Sequence, residues 1–185
     1  MLQTLRTCIP ITRELVTRHY SHQHTQQLNI PQHTCQQVGY GDYTHDIFNI
    51  TYDKHGDIAN GDFIPLTCTT KQPVVKCFPI ARSNTLHSLI MYEINSTNRQ
   101  LVHWSIANIS CGDVRSALTI IPYISPNPSS NKRLHAYMFC LFKQNTKYLG
   151  DPINTSTKVI PVAPLMDNLN ISTLVAAKYF VSKYS

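Results

Sequence analysis

Charged residues are scarce in this sequence. Asp, Glu, Lys and Arg make up 14% of the 185 residues, and the formal net charge is +6. A positive balance favours an acidic partner, such as a phosphate, a nucleic acid or an anionic membrane surface. The Lys and Arg residues are scattered, with no run of three, whereas nucleic-acid-binding proteins cluster them on one face. We therefore expect a phosphate-bearing ligand and do not expect a nucleic acid.

Long apolar runs are also missing. No stretch approaches the roughly 20 apolar residues of a membrane-spanning helix, and residues 1–10 contain no apolar core of signal-peptide length. The sequence therefore predicts a cytoplasmic protein. Five N-x-S/T sequons favour the alternative of a secreted glycoprotein, and we interpret them as a consequence of abundant Asn, Ser and Thr. They lie at Asn49, Asn95, Asn108, Asn154 and Asn170.

Recognisable metal and catalytic motifs are absent. The six cysteines form no C-x-x-C pair and match no zinc-ligand spacing. His19, His22, His24 and His33 lie in a polar segment without a Cys or carboxylate that completes a metal site, so we expect a solvated surface segment. The sequence has no G-x-S-x-G, and no Cys has an evident His and acid partner. We therefore predict a protein without a metal, a cofactor or an enzymatic activity.

Residues 48–52 are strand-like, and from residue 63 onward short β-branched or aromatic segments follow one another, separated by turn residues. Successive short strands without intervening helices predict an antiparallel sheet or sandwich. We expect one domain over residues 1–185, with a polar and divergent N-terminal part over residues 1–60. The predicted strands cover residues 48–52, 63–69, 73–78, 88–92, 101–109, 117–123 and 136–142.

Two segments carry helical signals, and one segment predicts a long loop. Residues 11–20 follow Pro10 and are compatible with a short helix. Residues 171–183 give the stronger pattern, with Ser172 as N-cap and apolar residues at helical spacing. Residues 122–131 are rich in Pro, Ser and Asn, and they predict an exposed loop.

Two strand-like segments each carry a histidine among apolar and aromatic residues. His103 lies in L-V-H-W at residues 101–104, and His135 lies in R-L-H-A-Y-M-F at residues 133–139. Because side chains alternate faces along a strand, His135 and Tyr137 point the same way. Two imidazoles and a phenol that converge supply hydrogen-bond donors for an anion. The alternative is that these groups satisfy one another within the sheet, as buried polar groups usually do.

These segments, in this order and spacing, resemble the phosphatidylethanolamine-binding protein (PEBP) family, which includes kinase inhibitors. The similarity runs from about residue 61 to the end of the sequence. It implies a mainly β fold, a PEBP-like antiparallel β-sandwich with a large sheet, a smaller sheet and a few short helices, including one at the C-terminus. It also implies a small surface pocket for a phosphate group or a phospholipid headgroup. Carried over by position, the pocket residues are Glu93, His103, Pro128, Ser129, His135 and Tyr137.

The sequence departs from the family pattern at this pocket. Residues 93–97 replace the D-P-D-x-P motif, so that Glu93 stands for the first acid, Asn95 for the second, and both prolines are lost. Ser129 replaces a proline of the pocket wall. The longer Glu side chain moves the carboxylate by one C–C bond, about 1.5 Å, and the loop is less rigid without its prolines. We therefore expect a weakened anion site.

The function that the sequence favours is that of a non-enzymatic binding protein. It uses a phosphate-type pocket to regulate a protein partner, with kinase signalling as the context by family analogy. One alternative is a degenerate scaffold that has lost its ligand and acts as a protein–protein interaction module. Another is a protease inhibitor that acts through a surface loop. The sequence does not define the oligomeric state.

Overall fold

The computed structural model describes residues 48–77, 85–94, 100–110, 112–128, 134–153 and 160–184. Within these residues nine strands form two sheets, accompanied by one α-helix, α1 (Val162–Asn168), and by 3-10 helices at Leu66–Cys68 and Val114–Ser116. The predicted mainly β fold, with a large sheet and a smaller one, is confirmed. The strands are β1 (Phe48–Tyr52), β2 (Gly56–Asp57), β3 (Asp62–Phe63), β4 (Val74–Cys77), β5 (His87–Ile94), β6 (Gln100–Ile109), β7 (Leu118–Ile121), β8 (His135–Gln144) and β9 (Ile171–Ser182).

Six strands form the large sheet, in the order β3-β9-β8-β5-β6-β7. Neighbours are antiparallel, apart from β3, which runs parallel to β9. The small sheet has the order β2-β1-β4 and is antiparallel throughout. In the centre of the large sheet, β5 and β8 pair continuously from His87 opposite Lys143 to Ile94 opposite Ala136. This register determines which side chains meet at the site.

Both faces of the large sheet are covered by apolar side chains. The small sheet packs on one face, where Phe48 and Ile50 join a buried cluster with Trp104, Tyr137 and Phe180. Helix α1 packs on the opposite face, where its apolar residues join a second buried cluster. That cluster includes Val162, Leu165, Leu169, Tyr92, Met138, Cys140 and Tyr179. The large sheet is therefore the shared middle layer of two cores.

The segment after α1 is a strand, so the helix predicted near residues 171–183 is wrong. β9 pairs with β8 from Ser182 opposite His135 to Ile171 opposite Gln144. Phe180 faces the small sheet, whereas Tyr179 and Val181 face α1. A strand buried on both faces carries apolar residues at successive positions, and such a run also contains helical spacing. The short helix of this region is α1, one element earlier.

The other sequence predictions have mixed outcomes. The strands expected near β1, β4, β5, β6, β7 and β8 are confirmed with small shifts of their ends. The strand predicted at residues 63–69 is wrong beyond Phe63, because the chain enters the 3-10 turn after Pro65. The loop after β7 is irregular as predicted, but it is not wholly exposed, since Pro126 and Pro128 are buried. The helix predicted at residues 11–20 and the histidine-rich segment lie outside the described residues.

Among the described residues, no helix has the length and apolar character needed to cross a bilayer. The same residues contain no cluster of three or more His, Cys, Asp or Glu side chains arranged to hold a metal ion.

Asn108 closes the end of β6. It adopts a positive φ of 60°, which Asn tolerates better than most residues. Its Nδ2 donates to the carbonyl of Tyr148 at 2.9 Å, and its Oδ1 accepts from the Tyr148 amide at 2.9 Å and from Gln144 Nε2 at 3.2 Å. This side chain therefore ties β6 to the segment after β8. The side-chain amide of this sequon asparagine is therefore hydrogen-bonded within the protein.

We expect Asn108→Ala to lower the free energy of unfolding by about 2–4 kcal/mol, because it removes three hydrogen bonds and places an alanine at positive φ. Asn108→Gly loses the same bonds but accepts the backbone conformation, so its loss is smaller. Urea unfolding followed by the fluorescence of Trp104, which is buried, measures both values. An alanine variant within about 0.5 kcal/mol of the wild type would contradict this role.

Candidate functional site

Three adjacent strands of the large sheet bring the predicted site residues together. The pairing of β5 with β8 places Glu93 directly opposite Tyr137, and directly opposite side chains leave the same face of a sheet. His135 lies two residues before Tyr137 and shares that face. This is the face that the small sheet covers, because Tyr137 belongs to the cluster on that side.

A β-bulge in β6 turns His103 onto the same face. Trp104 pairs with Met91 and Val102 pairs with Tyr92, so His103 is an extra residue in the ladder. With strict alternation, Val102 and Trp104 would share a face, but Val102 faces α1 and Trp104 faces the small sheet. The extra residue of a bulge permits this change of side. His103 and Trp104 are consecutive, yet both lie on the side of the sheet that carries the site. The bulge makes this possible.

The Glu93 carboxylate joins the two histidines. Its Oε2 lies 3.2 Å from His103 Nε2, and its Oε1 lies 2.5 Å from His135 Nδ1. The other ring nitrogen of His103, Nδ1, lies 2.9 Å from the carbonyl oxygen of Ile124 in the loop after β7. The three side chains are 9%, 11% and 4% exposed for Glu93, His103 and His135. Although Glu93 is one bond longer than the family's aspartate, it reaches both rings.

Hydrogen bonds from the histidines keep Glu93 ionised. Burial alone would raise the pKa of the Glu93 carboxyl, but the bonds from His103 and His135, together with the charge of these rings, lower the pKa to about 2. The site therefore contains a buried carboxylate at neutral pH, with both its oxygens hydrogen-bonded.

The hydrogen-bond partners of His103 define its proton count. A carbonyl oxygen only accepts, and an ionised carboxylate only accepts. His103 makes both of its bonds, to Ile124 and to Glu93, only by donating from both ring nitrogens, which makes it an imidazolium. His135 needs one proton, on Nδ1, for its bond to Glu93. With this minimum number of protons, the cluster holds one carboxylate, one imidazolium and one imidazole with a bare Nε2, and its net charge is zero.

Two buried polar atoms at the site have no hydrogen-bond partner among the described residues. They are Nε2 of His135 and the hydroxyl of Tyr137. Burial raises the pKa of the Tyr137 phenol, and the Glu93 carboxylate raises it further, so the hydroxyl keeps its proton. A buried polar group without a partner costs about 1–3 kcal/mol. A ligand that bonds to both atoms recovers this cost.

Aromatic rings hold Tyr137 in place. It stacks on Phe180, with ring centroids 5.1 Å apart and an interplanar angle of 20°. The ring of His103 packs edge-on against it at 5.4 Å. Behind them, the hydroxyl of Tyr52 lies 3.1 Å from that of Tyr123, which donates to the carbonyl of Thr69 at 2.7 Å. The position of the Tyr137 ring, and with it that of its hydroxyl oxygen, is therefore fixed by packing.

Four of the six predicted site residues meet: Glu93, His103, His135 and Tyr137. Pro128 is buried in the loop after β7, and Ser129 lies outside the described residues, so their role as a pocket wall stays a prediction. Sequence analysis missed Ile124, which contributes a backbone carbonyl and thus leaves no residue-type signal. It also missed Phe180, whose position was assigned to a helix.

Comparison with known proteins identifies the family of this chain. A family model described as phosphatidylethanolamine-binding protein matches residues 54–179, well over half of the chain. The chain belongs to the PEBP family. Its PEBP fold is shared with a phosphatidylethanolamine-binding protein from Plasmodium vivax, at 16% identity and a TM-score of 0.63, over 95% of this chain and 99% of that one.

Two further solved structures share the PEBP fold. One is a phosphatidylethanolamine-binding protein from Plasmodium falciparum, with 16% identity and a TM-score of 0.55, over 74% of this chain and 84% of that one. The other is a carboxypeptidase Y inhibitor complexed with its cognate proteinase, with 18% identity and a TM-score of 0.59, over 75% of this chain and 83% of that one. At these identities the likeness concerns the fold.

We expect Glu93 to contribute stability that depends on pH. Its pKa is about 2 in the folded protein against an ordinary value of 4.5. The contribution is therefore complete above pH 4.5 and is lost as the pH falls towards 2. A difference of this size corresponds to about 3 kcal/mol. Glu93→Gln should lower the free energy of unfolding by about this amount at pH 7, and the gap should close between about pH 5 and pH 2.

Urea unfolding of both proteins across this pH range measures the gap. Asp151→Asn, at a solvent-exposed carboxylate, is the matched control and should follow the wild type throughout. A gap that stays constant with pH would mean that Glu93 stabilises the fold by its shape and not by its charge.

Proposed function

We propose that this PEBP-family protein is a non-enzymatic binding protein whose site at Glu93, His103, His135 and Tyr137 takes a phosphate group or a phospholipid headgroup. The observation that supports this proposal most is a pair of buried atoms, His135 Nε2 and the Tyr137 hydroxyl, that have no hydrogen-bond partner among the described residues. They lie beside a cluster whose other polar atoms all make hydrogen bonds. Such a pair costs stability and is suited to a polar ligand.

The binding energy available to a bare phosphate is small. Hydrogen bonds to charged groups contribute about 1.5–3 kcal/mol each. The two free atoms of the site allow two such bonds, which barely exceed the cost of association and leave an affinity of about millimolar. Tighter binding requires contacts to the rest of the ligand. We therefore propose a weak headgroup site, in line with the loss of the family's second acid and of its prolines in residues 93–97.

The proposed regulatory role needs a path from the pocket to the surface, and Ile124 provides one. Its amide donates to the carbonyl of His103 at 2.7 Å, and its carbonyl faces His103 Nδ1. Its own side chain is 43% exposed. A ligand that shifts His103 thus also shifts a side chain on the surface, where a protein partner can contact it. A kinase pathway as the context, and a cytoplasmic location, belong to this proposal as family analogy.

The two alternative functions, a degenerate scaffold and a protease inhibitor, do not need a ligand in this pocket. A degenerate scaffold needs no ligand at His135 and Tyr137. A protease inhibitor acts through a loop, and the shared fold with a carboxypeptidase Y inhibitor makes that alternative worth keeping without favouring it over the pocket.

We expect a titration with phosphoethanolamine, followed by NMR, to produce saturable shifts at His103 and His135, with a Kd of about 1 mM. Tyr137→Phe removes one hydroxyl from the site and keeps the ring that stacks on Phe180, so it should weaken binding by about tenfold. Tyr148→Phe is the matched control. It also removes one hydroxyl, which bonds to Asp151, and its Kd should equal that of the wild type.

Two results would contradict the proposal. Binding far tighter than millimolar would overturn the claim of a weak site. The absence of shifts at both histidines would overturn the pocket itself and favour the degenerate scaffold.

A further inference from the structure

The site in its resting proton arrangement offers a phosphate one donor, not three. His103 donates one ring N–H to the carbonyl of Ile124 and the other to Glu93. His135 donates its Nδ1–H to Glu93. The donor that remains is the Tyr137 hydroxyl. The second free atom, His135 Nε2, carries a lone pair. A lone pair repels a phosphate oxygen, so this arrangement opposes a fully deprotonated phosphate.

The charges around His135 do not offset the repulsion between its Nε2 lone pair and a phosphate oxygen. On β5 the Glu93 carboxylate bonds to His135, and on β6 the His103 imidazolium balances that carboxylate. On β8 Tyr137 is neutral. On β9 the residue opposite His135 is Ser182, whose hydroxyl donates to the carbonyl of Ile64 at 2.7 Å. The described groups that face His135 thus carry a net charge of zero.

One added proton converts the site into an anion site. With a proton on Nε2, His135 becomes an imidazolium that keeps its bond to Glu93 and donates to the ligand. The site then has two donors, His135 Nε2 and the Tyr137 hydroxyl, and one net positive charge. Both donors leave β8 on the same face, two residues apart, which is the arrangement that a shared phosphate requires.

We propose that the site binds a phosphate group together with one proton, which sits between His135 Nε2 and a phosphate oxygen. This inference rests on the proposed function and concerns its regulation. A phosphodiester has no ionisable P–OH, so the proton must come from solvent and reside on the histidine. A phosphomonoester, whose second pKa is near 6, can bring the proton as its own P–OH. The protein therefore discriminates against the monoester dianion and binds either class more weakly as the pH rises.

The test compares a diester with a monoester across pH. Glycerophosphoethanolamine keeps its phosphate charge over this range, so the pH dependence of its Kd reports the protein alone. We expect its Kd, measured by NMR titration, to rise between pH 7 and pH 8.5, and the uptake of one proton limits this rise to about tenfold per pH unit. Phosphoethanolamine should show the same dependence over this interval, because it lies above the second pKa of the monoester.

Two variants identify the group that takes up the proton. His135→Gln supplies an amide donor without titration, so its Kd for the diester should become independent of pH. His55→Gln, at an exposed histidine in the β1–β2 turn, should retain the full dependence. Both variants are compared by their NMR spectra to verify the fold.

The outcomes separate this inference from the proposed function. Binding of the diester with a Kd that stays constant from pH 7 to pH 8.5 overturns the proton uptake and leaves the pocket in place. The same pH dependence in His135→Gln as in the wild type also overturns it, because the proton would then reside elsewhere. The absence of binding even at pH 6 overturns the inference and the proposed function together.

Discussion

The site depends on one buried carboxylate that two histidines share. A carboxylate removed from water is costly unless charges and hydrogen-bond donors surround it. Glu93 meets this demand with His103 on one oxygen and His135 on the other. The buried His103 also needs a partner for its second ring nitrogen, and the carbonyl of Ile124 accepts that hydrogen bond. A carboxylate on the central strand β5 thereby links β6, β8 and the loop after β7.

The same interaction explains why the site is both stable and incomplete. Pairing with Glu93 fixes the two rings and uses their N–H groups, while Phe180 and His103 fix the ring of Tyr137 by packing. What remains is a hydroxyl and a bare ring nitrogen, both buried and without a partner among the described residues. In the proposed function these two atoms bond to the phosphate, and the hydrogen bonds and packing around them limit how far their own side chains must reorganise. The low net charge of the cluster limits the gain in binding energy.

Most of the strands and four residues of the site could be predicted from the sequence, for physical reasons that can be named. The two-residue period of a strand put His135 and Tyr137 on one face, and the family resemblance supplied Glu93 and His103. The sequence did not reveal the bulge at His103, because a bulge depends on how β6 pairs with β5. Nor did it reveal the role of Ile124, because every residue has a carbonyl. The strand β9 was mistaken for a helix because burial on both faces removes the alternation that marks a strand.

The central claim is that Glu93 sets the proton arrangement of the two histidines, and nitrogen-15 NMR of the imidazole rings tests it most directly. With the protein at pH 7.5, long-range correlation spectra distinguish protonated from bare ring nitrogens. The account predicts that both nitrogens of His103 carry protons, whereas His135 carries its proton on Nδ1 and has a bare Nε2. A neutral His103, or a His135 with a proton on Nε2, would contradict it.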